Sequence, residues 1–413
     1  MTTHSIMTPE QARNTVLEHV KPVGIERVGL LEARGRLLAR DIYPKRDNPS
    51  HDNSAMDGFA VRYQDVQHTQ FESPVQLEIV ENIPAGKIPN QALKMGQASR
   101  IMTGGIIPEG ADTIIPIEDV TTTKNIVTVN TVEGIGVHIR KKAEDISTGK
   151  PILLAGQLLS AGEIAVLATI QQSFVTVHRR PRVAIITTGD ELVEIEENAE
   201  NGKVVNGNTA ALASFSQSCG AEPSMLPIAR DKPVDIKRTI EEASDADFIL
   251  SSGGVSVGDF DYVKQVLEEM GAETLFWRVA MKPGKPLLFC TLNSIPYFGL
   301  PGNPVSSMMS FLQFVRPALF KAAGHPSIKW TIPETIACLE NNVVNEGDRR
   351  NYLRCKLYYA QNGDLQANVF NQQGSHMVSS MIEANGIAII EPGESVSRGD
   401  KIRVQVIGDI SNT

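Results

Sequence analysis

The stretches VAIITTGDEL (183–192), DFILSSGGVSVGDFD (247–261) and PYFGLPGNPVS (296–306) decide the fold. Each is a short apolar run of strand character that stops in a turn rich in Gly, Ser or Asp, and each is followed by a helical pattern. The first leads to a helix expected over Thr209–Cys219 and ended by Gly220. The second leads to one over Asp261–Met270, ended by Gly271. The third leads to a stripe of Val305, Met308, Met309, Leu312 and Val315. Between the first two, MLPIA (225–229) followed by a helix after Pro233 supplies a further unit. This alternation implies an α/β fold: a doubly wound parallel sheet with right-handed crossovers, helices on both faces, and ligands bound beyond the carboxyl ends of the strands. Functional residues should therefore lie just after each strand.

Working outward, Thr8, Pro9 and Gln11 form a capping-box start for a helix running to about Val20. A second helical stretch runs through Leu30, Leu31, Arg34, Leu37 and Leu38 and gives way to the turn-rich DNPSHDNSAMDG (47–58). From Phe59 to about Arg140, short β-type runs (VQLEIVE, DTIIPIEDV, NIVTVN, VHIR) alternate with Pro and Gly and read as a small β domain. After Pro326 the pattern is β again. Asn362 and Gly363 sit between two alternating runs as a hairpin signal, and a small C-terminal barrel or sandwich is expected.

Composition removes several functions. With 39 Lys plus Arg against 48 Asp plus Glu among 413 residues, the net charge is −9, so no global basic field exists to hold a nucleic acid. No apolar run approaches the roughly 18 residues of a membrane span. The N-terminus lacks the basic and apolar regions of a secretory signal, and the four cysteines have no CxxC spacing, which points to a cytoplasmic protein without a disulfide framework or structural zinc.

Anions must therefore be met locally. In TGDEL, Asp190 and Glu191 stand at a strand terminus, as a helix cap or as chemistry. Ser252, Gly253, Gly254, Ser256 and Gly258 precede a helix and suit a phosphate, a tight turn being the alternative; no Walker or GxGxxG motif is present. Lys282 and Lys285 are held between Pro283 and Pro286, which favours a fixed cationic pocket over a loose surface patch. In LPGNPVS, with Pro301 and Gly302, Asn303 can cap and Ser306 lies in the first helical turn. Glu191, Asp231 and Asp261 could converge as oxygen ligands for magnesium. His376, with no second histidine or cysteine placed to join it, reads as structural.

Taken together, DNSAMDGFAV, RIMTGG, RKKAEDI, TTGDEL, NGN, SSGGVSVGDFDYVK, MKPGKP, GLPGNPVS and QGSH occur in the order found in the MoeA/gephyrin E-domain family, the molybdopterin molybdenumtransferases, which the chain resembles over essentially its whole length. DNSAMDG and KPGKP separate it from the related single-domain adenylyltransferases. The resemblance implies insertion of molybdate into adenylylated molybdopterin with Mg2+, giving molybdenum cofactor and AMP. It implies a homodimer of four-domain subunits: 1–46 with 147–178 as a discontinuous scaffold, 47–146 as a β-rich insertion, 179–326 as the molybdopterin-binding α/β domain and 327–413 as a C-terminal β-barrel. The site is then shared between the α/β domain of one subunit and the β-domain loop of the other. A molybdopterin adenylyltransferase and molybdoenzyme maturation proteins become the candidate partners.

Carried over by position, Asp57, Asp145, Glu191, Asp231 and Asp261 match the family's essential carboxylates, and Thr103 matches a functional threonine in RIMTGG. Lys282, Lys285, Pro286, Ser306, Arg354 and Ser375 match its oxyanion pocket. Two departures, Ser50 with His51 ahead of DNSAMDG and Lys232 after Asp231, remove none of these groups. Competing readings are a peptide-binding scaffold and a nucleotide-processing enzyme of the competence-damage type. A scaffold has no reason to keep carboxylates, lysines and glycine loops together, and the N-terminal β insertion and QGSH barrel argue against the second.

Overall fold

Every residue of Val183–Thr187 is buried, and side chains alternate between two cores. Val183 and Ile185 face one with Leu250, Phe289 and Phe298; Ala184 and Ile186 face the other with Ile249, Leu288 and Tyr297. A strand covered on both faces reads as a continuous apolar run, as this one does. These relations come from a computed structural model, which describes residues 6–254 and 262–412.

The sheet has six strands. Arg182–Thr187 lies between Glu222–Met225 and Phe248–Ser252, both parallel to it, and Phe248–Ser252 pairs in parallel with Ile295–Leu300. Two antiparallel strands, Leu288–Leu292 and Glu273–Trp277, complete that edge. The antiparallel edge was not anticipated: its tight turn uses Asn293 and Ser294, both at positive φ, in place of a glycine signal. The expected MLPIA strand is displaced toward the N-terminus. Pairing ends at Met225, because Pro227 has no N–H to give the ladder, although Leu226 and Ala229 still donate to Ile185 and Thr187.

Helices Gly207–Ser218 and Pro304–Ser310 cover one face, and Pro233–Glu242 and Val263–Glu269 the other. The N-terminal helix, Pro9–Glu18, has the expected capping box and buries Ala12 and Val16 in the first core; Lys321 Nζ donates to the carbonyl of Leu17 at its far end. The second helical stretch is shorter than the sequence pattern. It covers only Leu30–Ala33, since Gly35 at φ 77° turns the chain, and Leu38 instead bridges Val177.

The C-terminal region is a closed five-stranded barrel. Its order is Arg350–Tyr359, Leu365–Val369, Glu334–Leu339, Lys401–Val406 and Gly386–Ile390, with the last returning to the first. Closure removes the exposed edges that a sandwich would leave. Met281–Lys282 adds to this barrel in parallel with Arg350–Asn351, which ties the KPGKP segment to it. The chain divides into two units, Met1–Ala39 with Val175–Thr413, and Arg40–Phe174. The second unit holds a six-stranded sheet in the order Thr113–Pro116, Gly58–Val61, Gln97–Ile101, Val75–Ile83, Ile126–Val129 and Val120–Thr123. VHIR contributes only Ile139–Arg140, paired with Asn53–Ser54.

Candidate functional site

Beyond the carboxyl ends of the parallel strands lies a cleft of about 810 Å3. Thr188, Gly253 and Gly254 line it at the strand tips, Gly302 and Asn303 from the turn after Ile295–Leu300, and Ser306 from the first turn of the helix that follows. The tips are in close approach: a Cβ on Gly253, which has φ 96°, would stand 2.7 Å from the carbonyl oxygen of Thr188. Asn208 bridges two of these turns, donating to Ser252 Oγ and to the carbonyl of Gly302, each at 2.8 Å. Ser252 in turn donates to the carbonyl of Pro301 at 3.2 Å. Among the described residues Thr188 Oγ1, buried at the cleft, has no hydrogen-bond partner, so it has donor and acceptor capacity for a polar ligand.

Glu191 and Asp231 line the same cleft. The turns carrying them are linked, because Asp190 N–H donates to Asp231 Oδ2 at 3.0 Å and Asp231 N–H to Asp190 Oδ1 at 3.4 Å. Hard carboxylate oxygens are the donors a magnesium ion prefers, so these two residues fit such an ion chemically. No cluster of three or more His, Cys, Asp or Glu suited to a metal occurs among the described residues. The third expected ligand, Asp261, and the loop residues Ser256 and Gly258 lie outside the described residues.

A second hollow, of about 550 Å3, adjoins the cleft, sharing Pro286 and Ser306 with it. Lys282, Lys285, Arg349 and Ser375 line it. Three segments converge here: KPGKP, the helix start at Ser306, and the loop before Ser375, whose carbonyl accepts from Val305 N–H at 3.0 Å. Gly284 permits the tight KPGK path; at φ 103°, a Cβ there would stand 2.8 Å from Ser310 Oγ. Arg354 is placed differently from the other pocket residues. It is 0% exposed and does not line the hollow, and its Nη2 donates to the carbonyls of Gln372 and Gly374. Gln373 completes the brace, accepting from Arg354 N–H at 3.1 Å and donating to its carbonyl at 2.9 Å. Among the described residues Arg354 Nε and Nη1 have no partner, and burial pulls the guanidinium below its ordinary pKa, so a nearby anion would relieve an uncompensated positive group.

In the second unit the structure joins two expected residues. Thr103 donates to Asp57 Oδ1 through both its N–H, at 2.7 Å, and its hydroxyl, at 2.8 Å. These bonds, helped by the charge of Arg100, hold Asp57 below the usual carboxylate pKa. Asp145 stands apart from that pair and accepts from Asn48 Nδ2 at 3.0 Å. Lys141 and Lys142 of RKKAEDI are tied to Asp52 and Asp47, which makes this loop a braced turn.

Three family models match the chain in series. A model described as the MoeA N-terminal region (domain I and II) covers residues 7–170, a probable molybdopterin binding domain covers 184–321, and the MoeA C-terminal region (domain IV) covers 337–407. A molybdopterin molybdenumtransferase from Nostoc sp. is 40% identical over 387 residues, 92% of this chain and 88% of that protein.

This chain belongs to the MoeA family.

Another relative of the same name, from Haemophilus influenzae, is 32% identical over 97% of this chain and 98% of its own length. The crystal structure of a molybdopterin biosynthesis MoeA protein from Pyrococcus horikosii matches with a TM-score of 0.84 at 32% identity, covering 98% of this chain and 100% of that one. The three MoeA regions follow the order of the motifs, so the expected family and multidomain α/β and β fold hold.

Sequence reasoning passed over four groups that the structure brings to this MoeA site. Thr188 and Asn208 sit in quoted motifs, yet only the structure shows that Thr188, just past a strand, and Asn208, in the first turn of Gly207–Ser218, line the cleft. Arg349 is indistinguishable by sequence from its neighbour Arg350, but Arg349 faces the hollow while Arg350 is spent on Glu10 and Glu391. His376, read as structural, is exposed and lines the cleft.

Proposed function

We propose that this chain is a molybdopterin molybdenumtransferase that inserts molybdate into adenylylated molybdopterin and releases AMP in a magnesium-dependent reaction. The observation that carries the reading is the junction at Pro286 and Ser306 of two cavities with different chemistry. The cleft offers glycine backbone, the Thr188 hydroxyl and two carboxylates, a lining suited to the phosphoanhydride of the substrate. The hollow offers two lysines, an arginine and a serine hydroxyl, suited to a tetrahedral dianion. Lys282, Lys285 and Ser375 would hold molybdate there, with Ser306 at the shared wall and Arg354 fixing the loop behind. Glu191 and Asp231, with Asp261, would hold Mg2+, which when bound would supply positive charge beside the phosphoanhydride. The chain's own residues then orient both reactants and exclude competing water; none serves as a covalent nucleophile.

We place the enzyme in the cytoplasm as a homodimer, in which Asp57, Thr103 and Asp145 of one subunit serve the cleft of its partner. No described helix is long and apolar enough to cross a membrane. The decisive assay incubates purified protein with adenylylated molybdopterin, molybdate and Mg2+. AMP release that depends on molybdate supports the reading; its absence, under conditions where a MoeA relative is active, removes it.

A further inference from the structure

One buried amide lines the oxyanion hollow unspent. Asn351 is 7% exposed, and among the described residues its Oδ1 is buried without a hydrogen-bond partner. A buried acceptor left in that state is costly, and a ligand that meets the amide offsets the cost. The backbone around it is fixed on both sides, because Asn351 pairs with Lys282 in a parallel ladder and with Ile390 in an antiparallel one. Arg349, Asn351 and Leu353 line the hollow from alternate positions at the start of Arg350–Tyr359, whereas Arg350 turns to Glu10 and Glu391. Lys282 stands abreast of Asn351 on the neighbouring strand, about 4.8 Å away from backbone to backbone. The amide is thus flanked by two cations, Lys282 beside it and Arg349 two residues before it.

Resting on the function proposed above, we propose that Asn351 is a further contact for the oxyanion, its amide donating an N–H to one oxygen of the dianion that the lysines attract. Nothing among the described residues bonds to Oδ1, and a half-turn about the terminal side-chain bond exchanges it with the NH2 group. The occupant of the hollow therefore selects the end that the amide presents. Lys282 and Lys285 act through charge, which falls off with salt at an exposed side chain. Asn351 adds a directed donor from a held strand without adding charge, so its share of the affinity follows geometry and not ionic strength.

The test measures molybdate binding to the purified full-length protein by isothermal titration near neutral pH, at low and at high NaCl, in wild type, Asn351→Ala, Asn351→Leu and Lys282→Ala. Melting temperatures are taken on the same proteins without molybdate. Both Asn351 variants should bind molybdate about tenfold more weakly, the loss expected for one hydrogen bond to a charged group. That factor should be the same at both salt concentrations, whereas the Lys282→Ala loss should shrink as salt rises. Asn351→Leu keeps the branched shape of the side chain and removes the unpaired oxygen, so its melting temperature should equal or exceed that of wild type. Affinity within about twofold of wild type in both variants overturns the proposal, as does a fall in melting temperature that accompanies the lost affinity in both. Wild-type protein that binds molybdate yet releases no AMP overturns the enzymatic function and leaves this contact standing; wild-type protein that binds no molybdate overturns both.

Discussion

Thr103 spends two donors on one oxygen of Asp57, from positions distant in sequence, and the lowered carboxylate pKa is the consequence. Thr103→Val removes one donor and should move Asp57 toward its ordinary pKa, read by NMR titration; an unmoved titration would show that the hydroxyl is idle. Because the folded pKa is depressed, the stabilising effect is present above the unfolded pKa and is lost as pH falls through the folded one. The wild-type advantage over the valine variant should therefore shrink in acid. At the hollow, Lys282→Ala should raise the molybdate concentration for half-maximal AMP release about tenfold, with the melting temperature unchanged, since the side chain is exposed and its loss removes one charge from the anion. An unchanged molybdate response would take Lys282 out of the site. Motif order made these residues legible, but which way a side chain faces was not. Arg349, Arg350 and Arg354 are alike in sequence, and pairing and burial alone assign them to hollow, ion-pair network and buried brace.

At the scale of elements, the site depends on strand tips that approach too closely for side chains. Gly253→Ala would place a methyl 2.7 Å from the Thr188 carbonyl at a φ of 96°, and should cost about 2 kcal/mol or more in unfolding free energy, measured by denaturant titration. A variant as stable as wild type would mean that the turn is not constrained. Another junction ties the strand start to the N-terminal segment: Arg179 donates to both oxygens of Asp247 and to the Val23 carbonyl, and Arg182 N–H completes the carboxylate's contacts. Burial alone would raise Asp247, but these donors hold it below the usual range. Arg179→Met should destabilise the protein by about 2 kcal/mol near neutral pH, a cost that falls as pH drops through the Asp247 pKa. A loss that did not vary with pH would point to packing instead. The strand–helix alternation was readable from apolar runs and glycine stops. The antiparallel edge and the short pairing at Met225 were not, because one rests on an Asn–Ser turn and the other on the placement of Pro227.

For the whole molecule, the closed barrel matters because Met281–Lys282 pairs with its first strand, so Lys282 of KPGKP belongs to the barrel while Lys285 stays with the turn that leads back to the α/β sheet. Sequence patterns expected a barrel or sandwich there, but ring closure depends on the return pairing of Gly386–Ile390 with Arg350–Tyr359, which no local pattern encodes. The proposed shared site makes a prediction at this scale. Asp57→Ala and Lys285→Ala proteins, each inactive alone, should regain about a quarter of wild-type activity when unfolded and refolded together, because half the dimers are hybrids with one intact site. No recovery, with hybrid dimers demonstrated, would place both residues in a site within one subunit. The most direct test of the central claim is diffraction at the molybdenum edge from crystals soaked with molybdate. Anomalous density in the hollow bounded by Lys282, Lys285, Ser306 and Ser375 is the expected result; density confined to another basic surface, such as that near Arg13 and Arg403, would contradict it.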